Sequence, residues 1–299
     1  MGSRWLNATI VLFWIAMMSW LVGDQVLPSL LEGEPPNYEA MLPESDGPKT
    51  VQVNWKVVWN EKTIGTAIGT ITRGGDGIVQ VEHKIRLHEF PLPERIRRSF
   101  QIPGERHGLG VDSQMTFDDR SRLLSVHSSV TVGNQKDLIQ IIGAVEGGNL
   151  LKIDMQINGV VVVSREMHLS PKALAWGQLS PLGKFTDLRV GQKWTEPVFQ
   201  YFNLGETFEI LHAKVERREH LDWNGKRVNT HLVVYRTDPA SGLGQGGEIR
   251  KKLWVRLDGS VLQQSMNLLG NWLKFVRAPS KQPKPTDDST ESSRTDSPS

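Results

Sequence analysis

The chain of 299 residues has no cysteine, which excludes disulfides, thiolate nucleophiles, iron–sulfur and cysteine–zinc sites, and a lipidated cysteine anchor. It also lacks an excess of either charge: 35 basic residues against 33 acidic ones leave a net +2, too balanced for a nucleic-acid surface. No Gly-x-Ser-x-Gly elbow occurs, and none of the eight histidines forms the spaced pair with an intervening glutamate that a helical zinc-protease site needs. Long apolar runs are absent after residue 23. The ordinary share of hydrophobic residues, 38%, is enough for a buried core.

The one long apolar run is at the amino terminus. Trp5 to Gly23 are nineteen residues without a charge, and as a helix they span about 28 Å, enough to cross a bilayer. Arg4 precedes the run, and Asp24, Glu32 and Glu34 follow it. The positive-inside bias therefore predicts a cytoplasmic N-terminus and a periplasmic or extracellular remainder. Leu21-Val22-Gly23 is a poor small-x-small cleavage site, so residues 1–23 are read as a transmembrane signal-anchor helix. Leu6 occupies the position where myristoylation requires Ser or Thr.

Residues 24–49 carry five prolines without an apolar period and read as a stalk, whereas 279–299 lack large apolar side chains and read as a disordered tail. Between them, residues 50–278 show a period of two. Val79, Val81, His83 and Ile85 alternate with polar neighbours, as do Leu151, Ile153 and Met155. Asn158-Gly159, Asn224-Gly225 and Asp258-Gly259 are hairpin turns in sequence form, so the strands they join are antiparallel. The expected fold is mainly β: an extended curved antiparallel sheet or incomplete barrel, with short helices near 92–99 and 172–179. The period weakens between 170 and 205, where a boundary between two halves is placed.

Strand 63–73 has Gly65, Ala67 and Gly69 on one face, so something approaches that backbone closely: a packed segment, sheet curvature, or a ligand over a cavity floor. Trp59 to Ala67, Leu188 to Trp194 and Leu253 to Gln263 resemble stretches of an uncharacterised family of bacterial periplasmic β-rich proteins. That family is related in fold to the lipoprotein-carrier (LolA/LolB-like) half-barrels. The resemblance implies a curved sheet with an apolar concave face, and it supplies no functional residues.

The remaining candidates for chemistry are scattered. Asp112, Asp118, Asp119, Glu206 and Glu209 have no spacing that pairs them, and Ser241 to Gly247 precedes a strand rather than the helix a phosphate cradle requires. Alternation puts Arg250, Lys252 and Arg256 on one face with Trp254, a basic and aromatic patch suited to lipid phosphates or an acidic polymer. Trp55 and Trp59 share a face that is either core or the wall of a groove.

These features predict a non-catalytic, membrane-anchored extracytoplasmic protein. Its expected partners are the membrane, through residues 5–23, and a lipid-like ligand or an envelope protein. No nucleic acid, cofactor, metal or catalytic residue is assigned; the alternatives are a structural subunit of a membrane complex and a hydrolase using dispersed carboxylates.

Overall fold

The computed structural model describes residues 2–21, 49–92, 94–102, 106–168, 176–177, 179–185, 187–201, 208–237 and 247–279. Among the described residues two helices are present, α1 (Gly2–Leu21) and α2 (Glu94–Ser99). The strands are β1 (Lys49–Trp59), β2 (Lys62–Arg73), β3 (Val79–Pro91), β4 (Arg106–Phe117), β5 (Leu123–Val132), β6 (Gln135–Glu146), β7 (Leu150–Ile157), β8 (Val160–His168), β9 (Trp176–Gly177), β10 (Lys193–Phe199), β11 (Phe208–Trp223), β12 (Lys226–Thr237), β13 (Ile249–Arg256), β14 (Val261–Leu268) and β15 (Asn271–Arg277).

All fifteen strands belong to one sheet, in the order β8-β7-β6-β5-β4-β3-β2-β1-β15-β14-β13-β12-β11-β10-β9. Every pairing is antiparallel except that of β9 with β10, and β8 and β9 are left as the two edges, so the sheet is open. The expected mainly β, antiparallel architecture is the one observed. Asn158 and Gly159, and likewise Asn224 and Gly225, both hold positive φ, the geometry that a two-residue turn needs to match the strand twist.

An α-helix does form over the apolar run, but no helix among the described residues is long and apolar enough to cross a membrane, so the crossing is not part of the observed fold. The helix expected over 172–179 is not seen where that range is described: Trp176–Gly177 is a short parallel strand instead. Its remaining residues lie partly outside the described ones, as do nearly all of the stalk and the tail. Strand β10 was not anticipated, because Pro197 removes a backbone donor from its middle. Pro197 is tolerated because β10 lies one strand from the edge and has only a two-residue partner on that side.

Alternation along each strand gives one buried face. Val81, Ile85, Val111, Met115, Ile141, Ile153, Leu253 and Phe275 all point into a single apolar core. The sheet is curled around that core. Tyr201 follows β10, nine positions from β4 in sheet order, a separation of roughly 43 Å in a flat sheet. Its hydroxyl nevertheless lies 3.2 Å from Ser113 Oγ on β4 and 3.0 Å from Ser128 Oγ on β5. Those two serines are themselves 2.6 Å apart, and burial raises the Tyr201 pKa while the two serine hydroxyls counter the rise.

This three-hydroxyl contact ties two distant parts of the sheet across the interior. Tyr201→Phe removes the central hydroxyl and leaves buried Ser113 and Ser128 to each other. It is expected to cost about 1–2 kcal/mol, read as a lower denaturant midpoint with an unchanged slope. No loss of stability would show that the apolar contacts alone hold the curl.

Candidate functional site

The space inside the curl is filled by the chain itself. Residues 179–185 run along the concave face, with Leu179, Leu182 and Phe185 buried to 1% exposure or less. The segment is fixed by backbone bonds from Phe185 N–H to the Gly259 carbonyl (2.7 Å) and from Val261 N–H to the Gly183 carbonyl (3.2 Å). The Arg277 guanidinium also donates to the Gly183 carbonyl at 2.9 Å.

The small residues of β2 are explained here. A Cβ added at Gly69 would meet the His83 ring at 3.3 Å and the Pro181 carbonyl at 3.8 Å, and one at Gly65 would overlap the Arg86 carbonyl. What approaches this backbone is a neighbouring strand and the chain's own 181–183 segment. Trp55 is core at 2% exposure, and Trp59 packs partly buried against the same cluster.

Within this apolar filling lies a polar centre. Glu196 on β10 and Lys251 on β13 are 3% and 7% exposed. Trp194 Nε1 lies 3.4 Å from the Glu196 carboxylate as donor. The Lys251 ammonium sits 5.6 Å from the centre of the Tyr235 ring, which meets Trp194 edge-on at 6.0 Å. Burial pushes the Glu196 carboxyl up to about 7, against the pull of Lys251. Burial likewise brings the Lys251 ammonium down to about 8, against the pull of Glu196. Tyr235 is raised well above its ordinary value by burial and then by the Glu196 charge. His83 on β3, brought down to about 3 by burial and then by Lys251, completes the centre from the far side of the curl and is hydrogen-bonded to the Pro181 backbone.

Acid and base groups with displaced pKa values are what a catalytic centre uses. Here the adjoining cavity, lined by Glu196, Tyr235, Lys251, Arg250, Glu209 and others, measures about 20 Å³. That is room for a single water and for no organic substrate. The centre is a buried polar network inside a packed core.

The outer face is different. Cross-strand register aligns Val58, Lys274, Ser265, Lys252, Val234 and Lys214 in one row across β1, β15, β14, β13, β12 and β11. The next row aligns Lys56, Val276, Gln263, Trp254, Leu232 and Arg217. An open groove of about 400 Å³ lies among Val58, Lys252, Trp254, Ser265, Trp272 and Lys274. The Lys252 ammonium stands 5.9 Å from the Trp272 ring centre, and Trp272 is 42% exposed. Lys274 reaches Glu61 at 3.2 Å across a highly exposed contact that contributes little. Trp254 Nε1 donates to Glu219, which also pairs with Arg217.

A second groove, about 340 Å³, is lined by Arg189, Arg218, His231 and Arg256. There Arg218 Nε donates to His231 Nε2 at 3.2 Å, and Arg256 is paired with Asp258.

The structure keeps Lys252, Trp254 and Arg256 on the outer face, as alternation predicts, with Lys251, Leu253 and Val255 inside, whereas Arg250, at a register shift against β12, lines the inner cavity. It does not bring the sequence carboxylates together. Asp112 is bidentate with Arg86 at 2.8 Å, Asp118 closes a turn on the Arg120 and Arg122 backbone N–H groups, and Glu209 pairs with Arg250 at 3.1 Å. Glu206 and the greater part of the glycine-rich stretch 241–247 lie outside the described residues. Among the described residues no three His, Asp or Glu side chains converge as a metal site would require. Glu196 and Lys251 were not singled out in the sequence. The alternation of residues 250–256 does mark Lys251 as inward-facing, and that was the available signal.

No protein-family profile and no curated protein matches the chain. Among solved structures it is similar to the crystal structure of a beta-barrel-like protein of a domain of unknown function, DUF1849, from Brucella abortus. The two share 8% identity with a TM-score of 0.47, over 78% of this chain and 96% of that one. A likeness at that level transfers no function, and the relation to lipoprotein-carrier half-barrels expected from the sequence gains no support from it.

Proposed function

We propose that the protein is a membrane-attached, non-catalytic module that presents the outer face of its sheet to a component of the cell envelope. The observation that carries this reading is the contrast between the two faces. The concave face is occupied by residues 179–185 and closes on a cavity of about 20 Å³, whereas the outer face carries a groove of about 400 Å³ walled by Trp254 and Trp272. A lipid-like ligand on the concave side would have to expel Leu179, Leu182 and Phe185 from the core. The outer groove offers it apolar walls and lysines with no such displacement.

Attachment to the membrane is supported by α1. Ile10, Leu12, Phe13, Trp14, Ile15 and Trp20 are 51–78% exposed, a concentration of apolar surface that water does not favour. On this reading Arg4 ahead of the apolar run and the acidic residues behind it favour a periplasmic or extracellular side for the sheet.

The test is alkaline extraction of membranes from cells producing the full chain. Wild type is expected in the pellet, and a Leu12→Lys/Ile15→Lys double variant in the supernatant. Recovery of wild type in the alkaline supernatant would overturn the reading.

A further inference from the structure

From the outer groove we infer that this face docks on the surface of an anionic lipid bilayer, with Lys252 and Lys274 meeting lipid phosphates and Trp254 and Trp272 entering the headgroup layer. The inference rests on the membrane-attached reading and adds to it an orientation for the sheet and a chemistry for the contact.

Three observations carry it. The first is charge. Lys274, Lys252 and Lys214 fall on every second strand of one row, so their Cα atoms are roughly 10 Å apart. Lys56 stands in the adjoining row. Glu61 is the one carboxylate lining the groove, and it is 87% exposed. Lys252 has no carboxylate partner among the described residues, and its ammonium stands over the Trp272 ring.

The second is composition. Trp and Lys are amphipathic: an apolar body and a polar tip suit the zone between water and hydrocarbon, where indole N–H and ammonium groups stay hydrated while their stems do not. Val58 and the two indoles supply the apolar part of the groove, and the lysines supply its rim. A protein partner would equally accept a cation–π patch. It would also call for acceptors and donors that fix register, but besides its charges the groove offers only Ser265, Asn60 and the indole N–H of Trp272.

The third is reach. Between the end of α1 at Leu21 and the start of β1 at Lys49 are 27 residues, whose fully extended span is at most about 95 Å. The covalent connection therefore lets either face of the sheet touch the membrane that holds α1. The charge and aromatic pattern selects this face.

Because the chain has no cysteine, single labels report without background. The full chain is reconstituted into nanodiscs with an environment-sensitive fluorophore on Ser265→Cys in the groove, on Lys136→Cys at the distant start of β6, or on Met18→Cys in α1. In discs containing phosphatidylglycerol, the Ser265 label is expected to shift to the blue, and the Lys136 label to remain in water. In pure phosphatidylcholine the groove label should stay aqueous.

Lys252→Glu and Lys274→Glu should each lower the docked fraction about fivefold at low salt. The shift should collapse near 0.5 M salt, where screening is roughly 4 Å.

A Ser265 label that stays in water in anionic discs, while the Met18 label is buried, would overturn the docking inference and leave attachment standing. An aqueous Met18 label would overturn the attachment itself. If soluble glycerophosphoglycerol or inorganic phosphate reproduces the Ser265 response without a bilayer, the face is a small-anion site and the bilayer assignment falls. Binding of a co-reconstituted protein that protects the label equally in neutral discs would overturn it too.

Discussion

Lowering the pH from 6.5 towards 3 is expected to remove several kcal/mol of stability through His83 alone, and His83→Asn to abolish that component. The folded protein holds this imidazole neutral down to about 3, because it is buried between β2, Pro181 and the Lys251 charge. The unfolded chain takes up the proton near 6.5. Between those values the unfolded state binds more protons than the native one, so stability falls with the pH, by up to about 1.4 kcal/mol per unit. The contribution is complete above 6.5 and exhausted near 3.

Glu196 acts in the opposite sense over part of this range. Its folded value of about 7 exceeds the ordinary 4.5, so its protonation favours the native state as the pH drops from 7 to 4.5. The wild-type curve alone would blend the two effects. The difference between wild type and His83→Asn, measured by denaturant titration at pH 6.5 and at progressively lower pH, isolates the histidine. A difference that does not change with pH would mean that the imidazole is charged in the folded protein and that the packing described around it is wrong.

The second large effect is expected from Lys251→Met. Removing the ammonium leaves Glu196 buried beside Trp194 and Tyr235 without a countercharge, and breaking a buried pair from one side costs about 3–5 kcal/mol. The loss should depend on pH. At pH 5 the Glu196 carboxyl is protonated and asks for no countercharge, while the buried ammonium of the wild type still opposes folding, so the variant should be at least as stable as wild type. Above pH 7 its ionisation has to be suppressed or endured.

With Lys251 present, the ammonium itself opposes folding below about 8, and that penalty lifts between 8 and 10.5 as the native state releases its proton ahead of the unfolded chain. The double variant Lys251→Met/Glu196→Gln removes both charges and should recover most of the stability lost by the single one. Thermal melts of the three proteins at pH 5 and pH 8 are the measurement. Equal losses in the single and double variants would show that the two side chains do not interact.

Much of the sheet can be read from the sequence, because a strand with one buried face writes a period of two and a tight turn writes Asn-Gly. Val79 to Arg86 and Leu150 to Gly159 are examples. The curl leaves no such trace: nothing in the local pattern of β4 or β5 indicates that Ser113 and Ser128 meet Tyr201. Leu179, Leu182 and Phe185 fill the interior from an irregular segment, so periodicity cannot register them.

The polar centre is hidden for a different reason. Glu196 stands beside Pro197 in a strand the period does not reveal, and Lys251 sits in a run of three cations that looks like solvated surface. The outer patch was readable, because Lys252, Trp254 and Arg256 alternate cleanly and the structure leaves them outside, while a register shift at Arg250 breaks the pattern.

The pairing of β1 with β15 sets the order in which this protein can be made. Val58 and Lys274 are neighbours in the sheet and 216 residues apart in the chain (274 minus 58). A nascent chain therefore carries β1 with one side bare until the last strand has been synthesised. Closing so long a loop is entropically costly and slow. Until it closes, β1 to β8 and β9 to β14 are two separate sheet fragments, each with an exposed edge where the other should be. A chain that stops before β15 cannot join them, so completeness of synthesis is checked by the fold itself: truncated products keep two sticky edges and are marked for aggregation or proteolysis.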